Sequence, residues 1–180
     1  MPRPPIFAFA MLLALALCVL PAPASAADRL GIVVLHDKNG GADKQLTELV
    51  RVLRNVGFPV LAPEMPWSKK RGFDATYQQA LVEIGLAVEE LHLAGCTQVA
   101  LAGHGLGANA ALGYAASRGG VFAIAALAPS HDPARHREVF LPDVRKARSL
   151  MSSTGGHARS LFVDINLDKD YDLSTTAEVI

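Results

Sequence analysis

The chain reads as an α/β fold: a doubly wound, mostly parallel sheet of about five strands with helices on both faces. Three observations predict it. Strand-like and helix-like segments alternate from Leu30 onward, the pattern of parallel strands joined by crossover helices. Leu30-Gly31-Ile32-Val33-Val34-Leu35 is continuously apolar, as expected of a strand covered on both faces. Finally, Thr97 to Ala102 runs as a short apolar strand into Gly103-His104-Gly105-Leu106-Gly107 and then into the small residues Ala108-Asn109-Ala110. That is a strand, an abrupt glycine turn and a helix in immediate succession.

The elements follow in order. After the first strand comes the loop His36-Asp37-Lys38-Asn39-Gly40-Gly41. A first helix is predicted from near Asp43, with Leu46, Leu49, Val50, Leu53 and Val56 at helical spacing and Gly57 as its stop. Phe58 to Ala62 is the second strand, closed by Pro63-Glu64-Met65-Pro66-Trp67. Beyond Lys69-Lys70-Arg71-Gly72, Asp74 is placed to cap a second helix. Its apolar stripe is Tyr77, Leu81, Ile84, Val88 and Leu91, and it ends at Gly95. The helix from Leu106 to Ser117 is rich in Ala, Gly and Leu, so its backbone can lie close to the sheet. Val121 to Leu127 is a fourth strand, broken by Pro129. Leu141 to Ser152 carries a sparse helical stripe, Ser152 to Gly156 reads as a flexible break, and Ser160 to Ile165 reads as a fifth strand. The acidic loop Asp168-Lys169-Asp170-Tyr171-Asp172 follows it. Residues 27–180 form one domain in this reading, with no internal repeat.

The first 26 residues read as a secretory signal. Arg3 opens it, Ile6 to Leu20 is an uninterrupted apolar run, and Ala24-Ser25-Ala26 supplies the small residues for cleavage after Ala26. The run falls short of the ~20 residues that span a bilayer, so no lasting membrane insertion is expected after cleavage. Leu17 before Cys18 does not suit a lipoprotein signal. The mature chain is therefore expected to be exported, with Cys96 as its one thiol, buried at the start of an apolar strand. With 17 basic and 17 acidic side chains among 180 residues and no block of like charge, no nucleic-acid partner is expected; Lys69-Lys70-Arg71 is too short a run to change that.

Taken together, the order of parts from about Leu30 to Leu127, and on to Asp172, resembles the first two-thirds of an α/β-hydrolase. His36-Asp37-Lys38-Asn39-Gly40-Gly41 is similar to the family's His-Gly-containing oxyanion loop, with Asp37 where glycine is usual. Gly57-Phe58-Pro59-Val60-Leu61-Ala62-Pro63 resembles its second strand and exit. Gly103-His104-Gly105-Leu106-Gly107 is similar to the elbow Gly-His-Ser-Leu-Gly, with Gly105 at the nucleophile position. Leu167-Asp168-Lys169-Asp170 is similar to the loop that carries the acidic triad member, which makes Asp170 the candidate acid. The resemblance implies acyl-ester or similar carboxylic substrates. It also implies backbone N–H donors to an oxyanion from Leu106 and Lys38.

The side chains that such chemistry needs are missing. Gly105 has no atom that can attack, and no histidine follows the candidate acid, since the last in the chain is His157. Loss of a triad nucleophile costs about 10⁶ in turnover, so a catalytically silent form is expected. His104 is expected to pack beneath the turn and His36 to hydrogen-bond within its own loop. Ser130-His131-Asp132 holds the three triad residue types consecutively, too close together to form a relay, and reads as a loop. Asp168, Asp170 and Asp172 lack the glycine and distal glutamate of an EF-hand, so no metal and no cofactor are expected.

Three other readings stay open. Gly103-x-Gly105-x-x-Ala108 also fits a dinucleotide fingerprint at a helix start, although two strand–helix units precede it and no acid is placed for a ribose after Leu127. A non-catalytic binding module, keeping a pocket for a small acyl or ester ligand, is the second. The third is a shortened reading of a longer hydrolase, because Ala177-Glu178-Val179-Ile180 stops in mid-pattern.

Overall fold

Alternation along the first strand sets the architecture of the computed structural model, which describes residues 28–42, 44, 46–129, 137–166 and 169–180. In β1 (Leu30–Leu35) the side chains of Val33 and Leu35 point to one face and those of Ile32 and Val34 to the other, all of them buried. β1 pairs in parallel with β2 (Val60–Leu61) and with β3 (Gln98–His104), and β3 pairs in parallel with β4 (Ala123–Leu127), giving the order β2-β1-β3-β4. On one face lie α2 (Tyr77–Leu93) and α3 (Leu106–Arg118). Leu81, Ile84, Val88 and Leu91 from α2 meet Ala110, Ala111 and Tyr114 from α3 over Val33, Leu35, Val99 and Leu101. On the other face α1 (Thr47–Asn55) brings Val50, with Leu46, Leu49 and Leu53, against Ile32, Val34, Val60 and Ala102. The order reverses between β1 and β3, and in open parallel sheets the crevice beyond the strand ends at such a reversal is where ligands bind.

Several local expectations are corrected. The first helix starts at Thr47, and Val56, its C-cap, is 70% exposed. α2 is capped by Thr76, whose hydroxyl accepts from the Gln79 N–H while the Gln79 side chain accepts from the Thr76 N–H. A reciprocal capping box satisfies two helix donors at once, whereas Asp74 is engaged by Arg71. Tyr77 is 41% exposed and does not join the core stripe. β4 starts at Ala123 and is an edge strand with most of its residues exposed. Cys96 is buried, as its apolar surroundings require.

The main correction is to the fifth strand. Ser160–Ile165 lies within β5 (Arg159–Asn166), which pairs antiparallel with β6 (Lys169–Thr176) in a separate two-stranded sheet. The main sheet thus has four strands among the described residues, and the acidic loop is strand from Lys169 onward. The hairpin rests on α4 (Arg137–Thr154), which runs past both limits of the sparse stripe and takes in Ser152 to Thr154. Phe162, Ala147 and Ala177 form a small core there with Leu150. The Lys146 amine sits 5.0 Å from the Phe162 ring centroid, and the Asp143 carboxylate accepts from the Val163 N–H. Phe162 is the buried aromatic of this hairpin among the described residues, and β6 is mostly exposed and polar. The proposed signal segment, Asp43, Ser130-His131-Asp132, Leu167 and Asp168 lie outside the described residues. No helix among the described residues is long and apolar enough to cross a membrane.

Candidate functional site at the glycine elbow

The sharp turn after β3 is made possible by three glycines, one for its backbone conformation and two for close backbone approach. Gly105 has φ 54° and ψ −117°, a region that L side chains rarely adopt. A Cβ on Gly103 would lie 2.3 Å from the Gly107 carbonyl oxygen, and one on Gly107 would lie 2.3 Å from the Leu35 carbonyl oxygen. The helix can press onto the sheet only with hydrogens at both places. The Gly105 N–H donates to the Leu127 carbonyl at 3.0 Å, and Asn109 N–H closes the first turn of α3 on the Gly105 carbonyl at 3.1 Å.

The loop after β1 approaches this turn from beside it. His36 is buried; its Nε2 accepts from the Met65 N–H at 3.0 Å, which leaves the proton on Nδ1, 2.8 Å from the Asp37 carbonyl. Trp67 Nε1–H donates to the His36 carbonyl at 2.9 Å. His36 therefore ties its loop to the Met65–Trp67 segment, a wider reach than its own loop. Gly40 and Gly41 are buried and line a separate polar cleft of about 340 Å³ with Lys44, Glu64, Lys69 and Lys70.

The loop fixes the position of Asp37, and Asp37 defines the site. Its Oδ1 accepts from the Leu106 N–H at 2.7 Å and from the Lys38 N–H at 2.7 Å. The two N–H groups expected to face an oxyanion thus meet on one carboxylate oxygen of the same chain. Short bonds from N–H to an ionised oxygen are the stronger kind, and the N-terminus of α3 favours negative charge there. A Cβ on Gly105 would lie 2.0 Å from this Oδ1 and 2.1 Å from the Asp37 Cγ. The carboxylate fills the space that a side chain at position 105 would need.

The remaining candidates are placed as follows. His104 does not pack beneath the turn: its side chain is 41% exposed, with Nδ1 3.8 Å from the Asp37 Oδ2. His92 bonds the Cys96 carbonyl and His157 pairs with Glu178. Asp170 is exposed on β6, opposite Ile165. The hairpin carboxylate that reaches the elbow loop is Asp164, 2.9 Å from the Lys38 amine, which also donates to the Ile165 carbonyl. Among the described residues no group of three metal-ligating side chains converges. The cleft beside the elbow, about 600 Å³, is lined by Tyr77, Leu106, Asn109, Leu112 and Pro129. Of these, sequence reasoning singled out Leu106, as a backbone donor, and read Tyr77 as core; it did not find Asn109 and Leu112, which α3 supplies from turns that read as ordinary helix surface. Nor did it find the role of Asp37, although two departures in one motif pair, a side chain gained beside a side chain lost, were the available signal.

A strand ending in a strained residue, a helix starting directly after it, and one N–H from each of two loops complete the comparison. The strand, the tight turn at Gly105 and the helix that starts at Leu106 share the backbone geometry of a nucleophile elbow. No protein-family model matches the chain and no curated protein matches it in sequence. Among solved structures it is similar in fold to a carboxylesterase of the ammonia-oxidising thaumarchaeon Nitrososphaera gargenis, with TM-score 0.48 and 21% identity over 82% of this chain and 54% of that one. It is also similar to the RedJ thioesterase of the prodiginine pathway in Streptomyces coelicolor, with TM-score 0.36 and 18% identity over 86% of this chain and 64% of that one. The chain spans about half the length of the first and under two thirds of the second.

The polar cleft at Glu64 bears on stability. The Ser68 hydroxyl beside it holds the Glu64 carboxyl below its ordinary range, against the opposing effect of partial burial, and the Ala42 N–H at 3.3 Å adds to the lowering. A carboxyl lowered in the folded state stabilises fully above its unfolded value, near 4.5. That contribution is lost as pH falls through the lower folded value. Glu64→Gln is expected to remove this part of the acid-side loss, seen as a shallower fall in urea midpoint from about pH 7 to about pH 3.

Proposed function

We propose that the chain is an exported α/β-hydrolase-fold domain that has lost acyl-transfer chemistry and uses the cleft beside its elbow to hold a small apolar ligand. The observation that carries the silent site is the pair of 2.7 Å bonds from Leu106 and Lys38 N–H to Asp37 Oδ1, next to a glycine at the nucleophile position. An ester carbonyl arriving there meets a glycine at position 105 and finds the Leu106 and Lys38 N–H groups already occupied. Export rests on Arg3, the Ile6 to Leu20 run and Ala24-Ser25-Ala26.

The dinucleotide reading is the weaker one. A pyrophosphate would need the Leu106 end of α3, where a carboxylate already sits, and like charge would oppose it. The test of the silent site is direct. Purified protein is expected to leave short p-nitrophenyl esters at the background rate and to take up no fluorophosphonate label. Covalent labelling would overturn the proposal.

A further inference from the structure

Half of the six lysines in the sequence, Lys44, Lys69 and Lys70, line one polar cleft of about 340 Å³ between the loop after β1 and the turn after Trp67. We infer that this cleft binds a small phosphorylated polyol, with the phosphate on the three amines and a hydroxyl on the Glu64 carboxylate. The chain carries no formal net charge, so three amines against one carboxylate make a local excess at this place. Among the described residues no hydrogen bond or ion pair holds these amines, and Lys70 acts on Glu64 through space. The amines of Lys38 and Lys146, by contrast, are engaged by Asp164 and by the Leu161 carbonyl.

Both walls are fixed before a ligand arrives. The Lys69 N–H donates to the Gly40 carbonyl at 3.2 Å and joins them, while the Ser68 and Gly72 N–H groups close the turn on the Met65 and Ser68 carbonyls at 2.9 and 2.8 Å. The Arg71 guanidinium donates to the Glu64 carbonyl at 2.8 Å and pairs with Glu83 and Asp74. Walls held in place lower the ordering cost of binding, and the volume is that of a small-molecule site. Glu64 Oε2 accepts from the Ala42 N–H at 3.3 Å, with the Ser68 hydroxyl beside the carboxylate. Two carboxylate oxygens offer about four acceptor positions, so a ligand hydroxyl can still donate there. Three ammonium groups on separate stems are point charges with rotatable donors, suited to the three terminal oxygens of a phosphate monoester. A planar carboxylate is matched better by a guanidinium fork, and the arginine of this turn is engaged elsewhere.

The test is calorimetric titration of the full chain, at one ionic strength, with glucose 6-phosphate, inorganic phosphate, glucuronate and glucose. Glucose 6-phosphate is expected to bind about tenfold tighter than inorganic phosphate or glucuronate, and glucose to give no measurable binding. Lys69→Gln combined with Lys70→Gln, both at exposed positions, is expected to weaken glucose 6-phosphate by at least about tenfold with the circular dichroism unchanged. Glu64→Gln is expected to bring glucose 6-phosphate and inorganic phosphate within about threefold of each other, since it removes like charge for one and a charged acceptor for the other. Equal affinity for glucuronate overturns the phosphate assignment, and equal affinity for inorganic phosphate overturns the hydroxyl contact with Glu64. Absence of binding, or binding that survives the loss of both lysines, overturns the site itself.

Discussion

Gly107→Ala is expected to lower stability by at least about 3 kcal/mol, the upper range for overpacking a site that cannot relax. The added Cβ would lie 2.3 Å from the Leu35 carbonyl oxygen and 2.6 Å from that of His36. Both are backbone atoms at the end of a strand buried on two faces, so neither can rotate away. Relief requires α3 to lift off β1, which breaks the Leu106–Asp37 bond and opens the core under Ala110 and Ala111. Gly113→Ala is the control on the same helix. There the nearest atoms all belong to the Tyr77 ring and hydroxyl, the far end of a side chain that can swing outward, and alanine favours helix. Urea denaturation followed by circular dichroism is expected to separate the two variants by more than about 2 kcal/mol.

Gly105→Ser and Asp37→Gly are expected to be strongly coupled. Alone, the serine is driven into the Asp37 carboxylate in a backbone region that penalises side chains, a loss of about 2–4 kcal/mol. Alone, Asp37→Gly leaves two N–H groups without their charged acceptor, a loss of about 1.5–3 kcal/mol. Together the serine enters the emptied space, and the double variant is expected to be more stable than the sum of the singles predicts by over about 1 kcal/mol. Additive losses would show that the two side chains do not contend for one volume. Ester turnover is expected to stay at background in all three variants, because no described histidine is placed to serve as base at position 105 and lack of the base costs about as much as lack of the nucleophile. The described histidines at positions 36, 92 and 157 are engaged elsewhere, and His104 sits next to the elbow residue itself.

How much of this was legible follows from which forces set each part. β1 and β3 are buried on both faces, so their apolar runs announced them, and the elbow was readable because close backbone approach demands glycine. The stripe Leu81, Ile84, Val88 and Leu91 was readable because one helix face carries the core. The helix cap was misplaced because Asp74 and Thr76 are both good acceptors, and only the Gln79 side chain three residues on decides for Thr76. The hairpin was hidden because β6 (Lys-Asp-Tyr-Asp-Leu-Ser-Thr-Thr) is mostly exposed and holds its place by pairing with β5. Pairing leaves no apolar period to read. Asp37 and Gly105, far apart in sequence, read as two separate departures, a side chain gained and a side chain lost; only their proximity makes them one feature.

That shared volume also bears on the order in which the two positions can change. A lineage carrying this pair cannot place a hydroxyl at the turn by changing Gly105 first, since the added side chain meets the Asp37 carboxylate. Asp37 has to yield beforehand, and that step by itself strips two donors of their partner. The plugged hole thus acts as a latch on the sequence: each single change is costly, and a side chain at position 105 is accommodated only when both positions change together.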